Sequence, residues 1–249
     1  MEGQAARGRV ELLDLWRSLC VVIMVVYHVF YDTALFGRMD IAVFDSLPLL
    51  LLRYVVAGSF ILISGAVSRW SRQPVKRGLF VLCAACLVGA ATALMGMPVR
   101  FGVLHLIGTS MLIYAALGER LRGVSGALMP LLCAAAHFAM LALCSYFMTG
   151  VKWLWPLGFR YAGFYSADYY PLLPWLPVFL LGVWLGGVIE RHADAPALSR
   201  RFPSALTFPG RHSLVIYLVH QPVLYVLCRL LFGRLRVFLL TNGNNGDKI

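Results

Sequence analysis

The chain has 249 residues, 60% of them hydrophobic and only 13% charged, with a mean hydropathy of +0.78. Such a composition excludes an ordinary soluble domain, and long unbroken apolar runs exclude the short alternating segments of a membrane β-barrel. The predicted class is an all-α, multi-pass transmembrane helix bundle. A net charge of +11 would suggest nucleic acid in a soluble protein. Here the Lys and Arg fall between apolar runs and no nucleic-acid motif is present, so the charge belongs to topology and lipid head groups.

The first apolar run, 12–36, is long enough to cross a bilayer. It is too long for a cleaved signal peptide, is interrupted by Asp and His, and lacks a small-residue cleavage site, so it is expected to remain as the first helix. It carries Asp14, Arg17, His28 and Asp32. Each ionisable group at membrane depth costs roughly 2.5–3.5 kcal/mol on insertion scales, so such groups normally face a cavity or a partner. At 100° per residue Arg17 and His28 are offset by only about 20°, and all four groups fall within roughly 60° of arc. Asp32 lies one turn after His28, where a carboxylate can orient an imidazole. A polar stripe paired for stability and a functional cavity both fit this spacing.

A polar loop, 37–46, leads to a second span at 47–67, then to the densest basic loop (Arg69, Arg72, Lys76, Arg77). A third span, 78–95, is rich in Ala and Gly for close helix contact. After a turn at Pro98–Arg100 comes a fourth span, 101–117, with His105, followed by a charged loop (Glu119, Arg120, Arg122). A fifth span covers 124–147 and contains His137. The connection 148–171 holds Trp153, Trp155, Tyr161, Tyr165, Tyr169 and Tyr170, an aromatic girdle of the kind found at a membrane interface. A sixth span, 172–189, carries Gly182-x-x-x-Gly186, a helix-packing motif. Another basic loop (Arg191, Arg200, Arg201, Arg211) precedes a seventh span, 213–232, with Tyr217, His220, Gln221 and Pro222. The polar tail 241–249 is expected to be disordered, leaving 1–240 as a single transmembrane domain.

Six cysteines lie inside apolar runs. Cys83-Ala-Ala-Cys86 has zinc-like spacing but no second pair, so these read as small apolar residues and no metal site is expected. The Lys and Arg distribution places the N-terminus in the cytoplasm, with Arg234 and Arg236 leaving the C-terminal side open. Arg17 then sits near the cytoplasmic mouth and His28 about 16 Å further along, towards the outside. A substrate reaching both must be elongated.

Asp14, Arg17, ten intervening residues ending in Tyr27, and His28 resemble the arginine–ten–histidine signature of membrane acyltransferases that O-acetylate surface polysaccharides. Other stretches are Met24-Val-Val-Tyr-His28-x-x-Tyr-Asp32, Ser59-Phe60 with Ser64-Gly65, and Phe101-Gly-Val-Leu-His105. To these are added Asp168 with Pro171-Leu-Leu-Pro174-Trp175, and His212-Ser213 with Tyr217-Leu-Val-His220-Gln221-Pro222. Together these resemble the bacterial heparan-α-glucosaminide N-acetyltransferase catalytic-domain family over residues 9–225. The resemblance implies an acetyl-CoA-dependent enzyme of the bacterial cytoplasmic membrane that passes acetyl to a sugar amine or hydroxyl outside. It also implies that His28 is the catalytic histidine and Arg17 a CoA-binding or conformational partner. In the lysosomal relatives the proposed catalytic histidine lies one loop further on; the matching stretch here, 36–40, has none.

Thioester-to-amine or -hydroxyl transfer needs a base and donors for the developing oxyanion. His28 suits the first task as general base, or can carry the acyl group itself, with Asp32 fixing its tautomer. Arg17 suits a CoA phosphate, assisted by Arg69 and Arg72. His105 reads as an oxyanion donor, an acceptor-binding group or a structural hydrogen-bonding residue. Asp168 and Tyr169 read as acceptor-binding groups, with a turn or cap role the alternative for Asp168. His220 and Gln221 belong either to the site or to a proline-kinked helix. His137, His192 and His212 read as structural or interfacial. Expected partners are acetyl-CoA, a glycan or amino-sugar acceptor and the bilayer, with a homodimer left open. The competing functions are a carrier or flippase for a lipid-linked sugar, and a haem- or quinone-binding protein.

Overall fold

The computed structural model describes residues 10–122 and 126–233, and its helices follow the apolar runs. In chain order they are α1 (Glu11–Leu35), α2 (Leu47–Ser68), α3 (Pro74–Leu94), α4 (Val103–Arg122), α5 (Met129–Tyr146), α6 (Leu172–Arg191), α7 (Pro196–Ser199), α8 (Ser204–Arg211) and α9 (Ser213–Phe232). Short 3-10 turns occupy Ile41–Asp45 and Lys152–Leu154. The protein is an all-α, multi-pass membrane bundle: among the described residues six helices (α1, α2, α3, α5, α6 and α9) are long and apolar enough to cross a membrane. Proline in the first turn of α2, α3 and α5 suits a helix start, where its missing N–H leaves no bond unmade.

The expected fourth span is shorter than its neighbours. The apolar part of α4 is only Val103–Gly118, and it lies inside the bundle rather than against lipid. Val103, Leu104, Leu106, Ile107, Met111 and Tyr114 are all buried, packed with Ile61 of α2, Val81 and Ala85 of α3, and Trp175, Phe179 and Val183 of α6. A helix shielded by other helices does not need the full hydrocarbon thickness of apolar side chains. The outer faces are apolar instead: Leu19, Val22 and Phe30 of α1 and Leu230 and Leu231 of α9 are exposed, as a lipid-facing surface requires.

Two features lock the bundle. Helices α2 and α6 cross with their backbones in contact, because a Cβ on Gly65 would run into the Phe179 carbonyl and one on Gly182 into the Leu62 carbonyl. Lipid offers apolar groups the same environment as protein does, so such van der Waals contact between small residues is the main drive to association. The segment expected as a basic loop, 191–211, contains α7 and α8. Helix α8 lies across the start of α1: Thr207 is fully buried, and the Gly210 N–H donates to Ser18 Oγ at 2.7 Å. Glu11 fastens the same region, accepting from the Phe202 N–H at 2.7 Å and pairing with Arg201 at 3.1 Å and Arg211 at 3.4 Å. The tail 241–249, Arg234 and Arg236 lie outside the described residues, as do Arg7 and Arg9.

Candidate functional site

The polar arc of α1 faces protein. Asp14, Arg17 and Asp32 are buried and His28 is half-buried, while the opposite face is exposed. The neighbour across from the His28 end is α9. His28 and His220 stand with ring centres 5.0 Å apart, tilted 59°. One turn along, Gln221 Nε2 donates to both oxygens of Asp32, at 2.9 and 3.1 Å. The site therefore forms between α1 and α9, which are far apart in sequence.

This arrangement corrects the expected pairing of His28 with Asp32. The carboxylate is taken by Gln221, and Nδ1 of His28 is buried with no hydrogen-bond partner among the described residues. Spacing of one turn permits the contact; the side chain brought by α9 competes for the same oxygens and wins. Nε2 of His220 and Oε1 of Gln221 are likewise buried without a partner among the described residues. Three unmet polar atoms in one slot are unusual, because buried polar groups are nearly always paired. His137 shows the ordinary case. It is buried, its Nδ1 donates to the Pro174 carbonyl at 2.5 Å, and its Nε2 bonds the Tyr54 hydroxyl.

The aromatic connection 148–171 packs against this slot through Asp168 and Tyr217. Asp168 accepts from the Val103 N–H at 3.1 Å, so it caps α4, a helix far from it in sequence, and it also takes the Tyr217 hydroxyl. Burial pushes its carboxyl up to about 6, opposed by the Val103 N–H, the Arg53 charge and the Tyr217 hydroxyl. Tyr217 in turn packs on His220 with ring centres 5.6 Å apart. Tyr169 turns the other way: its hydroxyl donates to the Trp155 carbonyl at 2.6 Å, and its ring packs on Phe164 at 4.9 Å, bracing the connection. Beside His28, Tyr27 and Tyr31 stack with ring centres 6.3 Å apart, and both meet Phe44 edge-on. Tyr27, Tyr31, Phe44, Arg53 and Tyr217 were not singled out as site residues from the sequence. The i, i+4 tyrosines flanking His28 were the available signal.

The other sequence candidates are spread out. His105 stacks on Phe101 with ring centres 5.6 Å apart and lies against Gly89 of α3. Arg17 is buried on the same stripe as His28 but three turns towards the opposite end. Arg69 pairs with Glu190 of α6 at 2.6 Å, whereas Arg72 is exposed. A cavity of about 250 Å³ opens elsewhere, between α1, α2, α5 and α6, and is lined by Trp16, Tyr54, His137 and Trp175. Its lining is almost wholly apolar, and its one histidine has both ring nitrogens engaged.

Fold and site together define a class: a multi-pass membrane protein with an inward-facing imidazole slot beside an aromatic connection. The sequence profile of the family described as heparan-alpha-glucosaminide N-acetyltransferase, catalytic, matches residues 9–222. The chain belongs to that family, a family of acetyltransferases by its name. No curated protein and no solved structure matches it.

Proposed function

We propose that this protein transfers acetyl from cytosolic acetyl-CoA to a sugar amine or hydroxyl on the outer side of a bacterial cytoplasmic membrane. Residues 1–240 act in this reading as one transmembrane acyltransferase domain. The observation that carries it is the unmet imidazole nitrogen of His28 on the inward face of α1, within a chain whose family is named for acetyl transfer. His28 serves as general base or as acyl carrier, and Arg17, about 16 Å away towards the other end of α1, takes a phosphate of CoA. An extended thioester suits that separation. Gln221, through its unmet carbonyl, and Asp168 meet the acceptor, and the Tyr27–Tyr31 pair offers a flat apolar face of the kind sugar rings lie against. Asp32, held by Gln221, fixes the position of α9 against α1 and so sets the width of the slot.

The test uses the full-length protein in detergent or vesicles. CoA binding only the native state must raise its melting temperature, and labelled acetyl must appear in an envelope glycan or a simple amino sugar. His28→Ala should lower that transfer 10²–10⁴-fold, the usual loss when proton transfer or covalent help is removed. Acceptor binding without any CoA effect would favour a sugar carrier instead. Equal transfer by His28→Ala would remove His28 from the chemistry.

A further inference from the structure

We infer that acetyl transfer runs on a pair of imidazoles, in which His28 carries the acetyl group and Nε2 of His220 takes the proton of the acceptor. This rests on the acetyltransferase reading above and divides the labour within its site.

The first observation concerns the tautomer of His220. Its Nδ1 lies 2.7 Å from the main-chain carbonyl of Tyr217. A carbonyl oxygen can only accept, so Nδ1 must carry the hydrogen. A neutral imidazole has one N–H, and Nε2 is therefore left with a bare lone pair. That nitrogen is buried and no described residue donates to it. The same logic positions the base in a Ser-His-Asp triad, where a partner at Nδ1 reserves Nε2 for the proton. Here the partner is a main-chain carbonyl one turn back on the same helix, so the arrangement is rigid and independent of other side chains.

The second observation is the neighbour. The His28 ring lies 5.0 Å from the His220 ring and has its own unmet nitrogen. His137, in the same bundle, shows that a histidine kept for packing finds partners for both nitrogens. Two histidines that do not, packed against one another at a tilt in one slot, are set up to act on the same substrate. A single imidazole cannot both hold an acetyl group and accept the incoming nucleophile's proton at its acylated nitrogen, whereas two can share these tasks.

The steps balance. A ring nitrogen of His28 bonds to the acetyl carbon of the thioester, the carbon–sulfur bond breaks, and the proton released from the His28 ring goes to the thiolate, giving free CoA. The acceptor's N–H or O–H then attacks the acetyl carbon as its proton moves to Nε2 of His220. The bond from the acetyl carbon to His28 breaks, and the departing ring nitrogen recovers that proton from His220. Both imidazoles return to their starting state with no other reactant.

The test is trapping with acetyl-labelled acetyl-CoA and glucosamine as acceptor. His220→Asn is the informative variant, because the Asn amide can reproduce the Nδ1 donor to Tyr217 while removing Nε2. Turnover should fall 10²–10⁴-fold, while the melting temperature and its rise with CoA stay near wild type. Acetyl label should accumulate on the protein in a form released by hydroxylamine, and His28→Ala should hold no label. Free imidazole should restore part of the turnover of a smaller variant, His220→Gly. His220→Asn that turns over within a few-fold of wild type would overturn the assignment of the base. Loss of turnover with no trapped label would overturn the carrier role of His28. A wild-type protein inactive with every acceptor would instead strike the acetyltransferase reading.

Discussion

Gln221 on α9 gives its amide hydrogens to both oxygens of Asp32 on α1, and this bond sets the two histidine-bearing helices side by side. Asp32 is only 1% exposed, so removing its oxygens leaves a buried amide donor with nothing to meet. Asp32→Ala is expected to lower stability by about 1–3 kcal/mol. Asp32→Asn, whose carbonyl can still accept from Gln221, should lower it by less than half as much. Melting in detergent measures both. Equal effects would mean that the Gln221 bond contributes little.

The sequence carried the lengths and positions of the outer helices because lipid imposes a simple rule: a run of apolar side chains of fixed length. The bounds of α2, α6 and α9 match the expected spans to within two residues. The rule fails for α4, whose surroundings are protein, and for 191–211, where charged residues hid α7 and α8. The inward arc of α1 was legible because period and composition agree there. The site was half legible. His28, His220 and Gln221 were visible as residues, but whether Asp32 holds His28 or Gln221 depends on how α9 lies against α1, which no local spacing encodes.

The backbone contact between α2 and α6 should tolerate no side chain. Gly182→Ala places a methyl group against the Leu62 carbonyl, and the helices must part to admit it. Overpacking of this kind typically costs 1–3 kcal/mol, and Gly182→Leu should abolish recovery of folded protein. At Gly118, where a Cβ meets nothing within 4 Å, alanine should leave the melting temperature unchanged. A melting temperature for Gly182→Ala equal to that of Gly118→Ala would show that the two helices are not in backbone contact.

Asp168 predicts how stability varies with pH. Burial raises its carboxyl from 3.8 to about 6, so the folded protein holds that proton more tightly than the unfolded chain does. The stability it contributes is fully present below pH near 4 and is lost as pH rises through about 6. Melting temperature should therefore fall between about pH 4 and 6 and level off above that. Asp168→Asn, which keeps an oxygen for the Val103 N–H, should flatten that slope and raise the melting temperature at pH 7. An unchanged slope in the variant would assign the pH dependence to other groups.

Arg17 and Arg69 were both candidates for CoA, and the structure separates their expected behaviour. Arg69 is committed to Glu190 at 2.6 Å, bridging α2 and α6 near the end of the bundle that carries α8. Arg69→Ala and Glu190→Ala should each lower the melting temperature, and the double variant should lose less than the sum, since both remove one interaction. The apparent KM for acetyl-CoA should stay within a few-fold in these variants. Arg17 lies on the polar stripe of α1 itself. If its guanidinium grips a phosphate, Arg17→Lys keeps the charge but loses the two-pronged geometry. That change should raise KM about 10-fold or more while kcat changes little, because a contact made equally before and during the reaction is uniform binding. Steady-state kinetics with acetyl-CoA as the varied substrate decides this, and a fall in kcat at constant KM would place Arg17 in the chemical step instead.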